Sequence, residues 1–421
     1  MDLVQIILAL TLVIGFYMAW NIGANDVANA MGTSVGSGSL TLKRAVILAA
    51  ILEFSGAFFA GSSVTNTVRK GIVDPNLYAD VPMLFVLGML SALLAAAVWL
   101  QVASYFRLPV STTHSIVGAI VGFSIVSMGF ASVNWVKIAK IASSWVISPI
   151  LGGIIAFLVF EAIKRKVLSV KNPILASRKM APFFVFLVIF IVTLVMLFKG
   201  LKQLHLDFSL IESLFLATVF GAMSGVASYF IISKFLFVSS KKRKKMNTDE
   251  RMLEVEKIFT VLQIISACFV AFAHGSNDVA NAIGPIAAII GVLETNSIQA
   301  QFGVPLWILG LGGGGIVIGL ATWGWRVIET VGKNITELTP TRGFAAELGA
   351  ATTIVLASKL GIPISTTHTL VGAVFGVGLA RGISSLNVKV IYNIILSWFI
   401  TIPAGAFLSI LFYWMFKALL L

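Results

Sequence analysis

Asn21-Ile22-Gly23-Ala24-Asn25-Asp26-Val27-Ala28-Asn29-Ala30 interrupts an apolar run that begins at Leu3 and otherwise reads as a membrane helix. Nearly the same words return as Gly275-Ser276-Asn277-Asp278-Val279-Ala280-Asn281-Ala282, after an apolar run beginning near Ile258. Each copy sets a carboxylate and amides where hydrocarbon belongs. An Asp at the centre of a spanning helix costs roughly 2.5–3.5 kcal/mol of insertion free energy. A cost borne twice, in the same residues, points to a site assembled from both halves of the chain.

The surroundings of the two stretches set the fold class. Of 421 residues, 58% are hydrophobic and 11% charged, with a mean hydropathy of +1.00. Soluble chains carry about 25% charged residues, so this is an all-α, polytopic membrane protein. Met1–Leu10 lacks the basic region of a signal peptide and no convincing cleavage site follows, so Leu3 to Trp20 is expected to be a retained span. The net charge of +13 concentrates in loops that flank apolar runs. That placement speaks for membrane orientation and against nucleic acid. Cys268 is the only cysteine, which excludes an intrachain disulfide and a thiolate metal cluster.

Apolar runs of about 20 residues mark the spans. After Leu3 to Trp20 and a short tail to Gly36 come Ala45 to Val64, Met83 to Phe106, Thr112 to Phe130 and Trp135 to Ile163. A basic loop (Lys164, Arg165, Lys166, Lys171, Arg178, Lys179) precedes Phe183 to Phe198 and Leu210 to Phe237. A second basic loop (Lys241 to Lys245, Arg251, Lys257) leads to Ile258 to Ala273, with its own polar stretch and tail to Val292. Val304 to Trp325, Phe344 to Leu360, Thr366 to Ala380 and Val388 to Phe416 complete about twelve spans.

A second motif is duplicated too. Arg107-Leu108-Pro109-Val110-Ser111-Thr112-Thr113-His114 pairs with Gly361-Ile362-Pro363-Ile364-Ser365-Thr366-Thr367-His368. Asn25 to Ser111 is 86 positions and Asn277 to Ser365 is 88. Two motifs in one order at one spacing indicate an internal duplication: 1–163 as one repeat, 164–257 as two linking spans between basic loops, 258–421 as the other. The positive-inside rule makes both basic loops cytoplasmic and sets the N-terminus outside. If each short tail dips in and returns, each repeat crosses an odd number of times and the two are inverted. Secondary transporters use that plan, with the substrate near the midplane between repeats of broken or re-entrant helices.

The residue types suggest what the site holds. In each hydroxyl motif a proline resets the backbone and Ser-Thr-Thr then opens a helix, where Ser and Thr cap free N–H groups. Such a terminus carries about half a positive charge and is a ready anion site. Ser111, Thr112, Thr113, Ser365, Thr366 and Thr367 are thus candidate ligands for a tetrahedral oxyanion, with Asn25 and Asn277 beside them. Asp26 and Asp278 would repel that anion by about 4 kcal/mol at 4 Å with an effective dielectric near 20. They suit a hard cation instead, completed by Asn25 and Asn277 carbonyls and freed backbone oxygens. A cation between carboxylate and oxyanion makes each ion's binding depend on the other. Glu53 and Glu347, inside apolar runs, are further cation-site candidates. Asn29, Asn281, His114 and His368 are supporting ones. Gly32-Thr33-Ser34-Val35-Gly36 has the spacing of a nucleophile elbow, but no strand-turn-helix context surrounds it, and Gly312 to Gly315 lacks the residues of a phosphate loop.

Both polar stretches, both Pro-x-Ser-Thr-Thr-His segments and Gly343-Phe344-Ala345-Ala346-Glu347 together resemble the inorganic phosphate transporter (PiT) family. The short loop Ser239–Lys257 is similar to its prokaryotic type. The resemblance implies uptake of inorganic phosphate coupled to sodium or protons, with cation ligation by Asp26 and Asp278 and transport roles for Glu53 and Glu347. Ser276 stands where the first copy has Ala24, so the two cation sites need not be equal. The residues themselves favour sodium, since a proton relay needs no oxygen shell. The expected activity is a cation-coupled phosphate importer with alternating access in the plasma membrane, not an enzyme and without a resident cofactor. A sulfate permease of the same fold and an anion channel are the alternatives. Its partners are phosphate, sodium or a proton, and the lipid bilayer. A homodimer is compatible with the sequence.

Overall fold

A computed structural model describes residues 2–61, 72–73, 75–197, 208–235, 246–298, 304–359 and 364–421. Arg69-Lys70, the 241–245 run and the segment Gly361-Ile362-Pro363 lie outside the described residues. The first half folds into α1 (Leu3–Asn25), α2 (Ala28–Gly36), α3 (Leu42–Ala60), α4 (Pro82–Tyr105), α5 (Thr112–Met128) and α6 (Trp135–Ile163). The linking pair is α7 (Pro173–Val195) and α8 (Leu210–Phe235). The second half holds α9 (Thr248–Asp278), α10 (Ala280–Thr295), α11 (Leu306–Gly319), α12 (Trp325–Glu329), α13 (Pro340–Lys359), α14 (Thr366–Arg381) and α15 (Val388–Leu420). Eight helical runs among the described residues are long and apolar enough to cross a membrane, and shorter apolar helices such as α5 lie between them.

The polar stretches bend their helices without ending them. Asp26 N–H donates to Ile22 O, and the Asn29 and Ala30 amides donate to Asp26 O and Val27 O, so helical bonding resumes at once. In the second copy only Val279 separates α9 from α10. The tail therefore continues its helix and does not turn back. Glycines let a neighbouring rod follow across the bend. A Cβ on Gly23 would fall 1.9 Å from Ile316 O, and one on Gly36 would fall 1.9 Å from Gly332 O, so the run from α11 to Gly332, just past α12, follows α1–α2. Gly275 repeats this against Glu53 O, at 2.2 Å.

The elements that do turn back are the hairpins α4–α5 and α13–α14. Val73, ahead of α4, bridges Val133, after α5, and Asn134 N–H donates to Ile72 O. Thr336 and Leu386 bridge in the same way around α13–α14, with Asn387 N–H on Ile335 O. Each hairpin begins and ends at one level and presents its tip, with the hydroxyl motif, to the bent helices. Of the eight long apolar runs, α4 is the most interior, with 72% of its apolar window buried.

Two helices start about ten residues before their apolar runs. α9 opens on a capping box between Asn247 and Glu250, so Arg251 and Lys257 are helical. α7 opens with Pro173 at its first position, which fits a fixed φ and a missing N–H. Charges end an apolar run, but caps decide where a helix begins. The packing pairs the halves: α1 lies on α11 as α9 lies on α3, α5 on α15 as α14 on α6, and α4 on α15 as α13 on α6. Met18, Leu90, Phe123, Ile283 and Phe344 are among the fully buried side chains of one continuous core.

Candidate functional site

Both bends and both hairpin tips converge. Asp26, His274 and Asp278 offer ligand atoms that all lie within 4.8 Å of one another, and none of the three is more than 2% exposed. The two halves of the chain contribute to it in parallel ways. Asp26 accepts a short hydrogen bond from Thr112, and Asp278 accepts from Thr366 Oγ1 at 3.3 Å. Asn29 Nδ2 donates to Thr367 Oγ1 at 2.7 Å, while Asn281 Nδ2 reaches Thr112 and Thr113 at 3.2 and 3.4 Å. Each bend thus touches the hydroxyl motif of its own half through the carboxylate and that of the other half through the amide. Thr367 Oγ1 also donates to Val110 O, tying tip to tip.

Several expected ligands have other partners. Asn25 holds the α4–α5 tip: its Nδ2 donates to Ser104 Oγ and Leu108 O, both at 3.0 Å, and its Oδ1 accepts from Val110 N–H. Asn277 Nδ2 donates to Asp278 Oδ1 at 2.7 Å. Ser111 and Ser365 cap their own helices by accepting from the His114 and His368 amides. That leaves the first amides of α5 and α14, at Thr112, Thr113, Thr366 and Thr367, with no partner inside their helices. The threonines of the hydroxyl motifs thus face the bends, while the serines are taken up in capping.

Glu53 and Glu347 occupy different surroundings. Glu53 Oε2 lies 2.8 Å from His274 Nδ1, and His274 Nε2 lies 2.7 Å from Asp278 Oδ2. The imidazole thus lies between two buried carboxylates, hydrogen-bonded to Glu53 and within ion-pair distance of Asp278. Glu347 accepts from Thr33 at 2.6 Å, Ser34 at 2.9 Å and Gln263 at 3.2 Å, and closely from Ser266. Ser34 is thus a donor within a helix, which removes the elbow reading. His114 and His368 meet ring to ring at 4.4 Å between Trp145 and Trp398, and neither bonds to the carboxylate cluster.

His274, Gln263 and Ser266 were not among the sequence candidates. His274 could have been found by laying the copies side by side, since it replaces Ile22 next to the motif. Among the described residues, four buried acceptor oxygens of the first polar stretch and of Glu53 have no donor: Asn21 Oδ1, Asp26 Oδ1, Asn29 Oδ1 and Glu53 Oε1. Buried polar atoms are seldom left so, and bare oxygens around two carboxylates suit a hard cation, with imidazole the softer ligand.

A profile described as the phosphate transporter family matches residues 22–409. Inorganic phosphate transporter 2-1, chloroplastic, from Arabidopsis thaliana is 49% identical over 97% of this chain and 72% of its own length. A protein of Pyrococcus furiosus named as a phosphate permease is 48% identical over 99% of this chain and 97% of its own. A solved structure titled the sodium-dependent phosphate transporter matches with a TM-score of 0.87 at 43% identity, covering 98% of this chain and 99% of that one.

Proposed function

Since the chain belongs to the phosphate transporter family, we propose that it moves inorganic phosphate together with a hard cation, sodium in preference to a proton. The observation that carries this is the set of donorless oxygens on Asp26, Asn29 and Glu53 beside two hydroxyl-bearing helix starts. In this reading sodium lies against Asp26 and Asp278 and cancels their repulsion of phosphate. Phosphate then takes the Thr112, Thr113, Thr366 and Thr367 hydroxyls and the free amides of α5 and α14. His274 buttresses Asp278 from behind, and Glu347 orients a second polar cluster against α2.

The repeats 1–163 and 258–421 are proposed to be inverted around the linking pair, with both basic loops cytoplasmic and the N-terminus outside. Continuous bent helices and returning hairpins support this, because each repeat then crosses three times. Alternating access has two asymmetric approaches to work with. A mainly apolar slot between α7, α9, α13 and α14 reaches His274, Asn277 and Thr366. Towards α12, the α4–α5 tip is held by Arg107, whose Nη1 lies 3.5 Å from Glu329 Oε2, and Arg326 of α12 lies 5.7 Å over the Tyr105 ring at the end of α4. Arg107 holds a left-handed backbone (φ 59°), costing a non-glycine residue roughly 1–2 kcal/mol, where the second copy has Gly361. An arginine kept at that cost is there for its side chain.

The test is radiolabelled phosphate uptake by purified protein in vesicles, with sodium and pH gradients imposed separately and sulfate as competitor. Sodium-driven uptake that excess sulfate leaves intact is expected. Uptake driven by a pH gradient in sodium-free buffer would sink the sodium assignment. It would favour a second reading, proton coupling, for which the contiguous Glu53–His274–Asp278 chain speaks.

A further inference from the structure

On the outer apolar surface α6, α14 and α15 leave a groove of about 500 Å³. Ile154, Phe157, Phe375, Leu379 and Ile395 form its walls and Trp398 its floor. Ile154 and Ile395 are 53% and 41% exposed, so the groove is open along its length. α6 and α14 run side by side in one direction, because Pro149 O abuts Gly372 and Gly153 O abuts Gly376. With no side chains on those glycines the helices approach closely and the groove deepens beside them.

All three helices carry positive charge at the same end of the groove. Lys164, Arg165 and Lys166 follow α6, Arg381 closes α14, and Lys389 sits in the first turn of α15. Lys164 Nζ reaches Ala380 O at 3.5 Å, one residue beyond Leu379. The carboxylates there are already shared: Glu161 with Lys164 and Arg165, Glu337 with Arg342 and Arg381. Lys166 and Lys389 have no ion-pair partner among the described residues, so the mouth is net positive. At the floor, the Trp398 ring stacks on His368 at 3.7 Å and 19°, and its Nε1–H donates to Pro109 O at 3.2 Å.

An apolar slot inside a membrane-spanning body, ending in a net-positive mouth, has the chemistry of an anionic phospholipid. A peptide would bring backbone donors and acceptors that this lining cannot pair, whereas an acyl chain brings none. Basic pockets between spanning helices recognise lipid phosphates by the same charge logic. We propose that the groove holds one acyl chain of an anionic phospholipid, with its phosphate at Lys164 and Lys166. The chain rests on Trp398, which touches the hydroxyl motifs of both halves.

The full-length chain is reconstituted in phosphatidylcholine vesicles containing phosphatidylglycerol with brominated acyl chains. The Trp398 signal is taken as the difference between wild type and Trp398→Phe, since nine tryptophans contribute. Trp398 should be quenched at low phosphatidylglycerol content. Lys164→Gln and Lys166→Gln should weaken that quenching about fivefold per cation removed, as roughly 1 kcal/mol each implies. The pair Ile154→Phe and Leu379→Phe, at exposed positions, should fill the groove and abolish it. Mass spectrometry of the purified protein supplies a second readout: phosphatidylglycerol retained by wild type and lost from the filled variant. Equal quenching by brominated phosphatidylcholine would mean that bulk lipid merely wets this face. Quenching by neither lipid would mean that a second copy or another protein covers it. Either result overturns the site.

Discussion

Asp26→Asn is the substitution on which the cation argument turns. It keeps the size of the side chain and an oxygen to accept the Thr112 hydroxyl, while removing charge beside an oxygen that has no donor. A monovalent cation 4 Å from a carboxylate gains about 4 kcal/mol at an effective dielectric near 20. That corresponds to about a thousandfold in affinity, and rearranging oxygen ligands will return part of it. Asp278→Asn should shift less, because Asp278 already meets His274 at 2.7 Å, Asn277 at 2.7 Å and Thr366 at 3.3 Å. Initial rates of phosphate uptake into vesicles, at stepped sodium and saturating phosphate, give the half-saturating sodium concentration for each variant. An unchanged value for Asp26→Asn with uptake intact refutes cation ligation there. A larger shift for Asp278→Asn refutes the argument from the bare oxygen.

Further outcomes follow from the same contacts. Asn281→Ala and Asn29→Ala each remove a buried amide donor between halves, and should raise the phosphate concentration for half-maximal uptake about fivefold, at roughly 1 kcal/mol per hydrogen bond; wild-type values would exclude these amides from the binding surface. Replacing His274 by Leu strands two buried carboxylates, which costs about 3–5 kcal/mol; thermal unfolding in detergent should show a clear loss relative to wild type, and an unaltered melt would contradict the bridge. Gly275→Ala drives a methyl towards Glu53 O, and the overpacking costs about 1–3 kcal/mol, read in the same melt; a variant as stable as wild type is incompatible with that approach of α9 to α3. Joining Arg107→Cys to Glu329→Cys by oxidation should arrest uptake until a reductant is added; transport that continues through the cross-link would mean that this tip stays put.

How much of this was legible in the chain depends on the range of the interaction. Trp135–Ile163 was read to the residue because the Asn134 cap and the start of a long, mainly apolar run coincide there. The starts of α7 and α9 were missed because a hydropathy window stops at Arg178 or Lys257, while Pro173 at the first position of α7 and the Asn247–Glu250 capping box of α9 start the helices earlier. Convergence of Asp26 with Asp278 was inferred from their duplicated wording and is present in the fold. Which polar groups each would face was not inferable. Glu53 meets His274 across 221 positions and Thr33 meets Glu347 across 314, and nothing local encodes such pairings. Asn25 shows the converse: its motif suggested a ligand, whereas its amide is engaged in shaping the α4–α5 tip.

The backbone contacts at glycine carry a consequence for how the molecule can divide. Gly23 seats α1 on α11, Gly275 seats α9 on α3, Gly118 seats α5 on α15, and Gly376 seats α14 on α6. Every one of these seams joins the first half of the chain to the second, so the halves are interlaced like the fingers of two hands. Pulling one repeat away from the other would open all four seams. The cheaper parting line runs between the bent helices and the hairpin tips, where the ties include single side-chain hydrogen bonds from Asn29, Asn281, Asp26 and Asp278. The division of the chain into halves and the line that crosses fewest of these seams thus do not coincide in this protein, and the candidate ion cluster lies along the second.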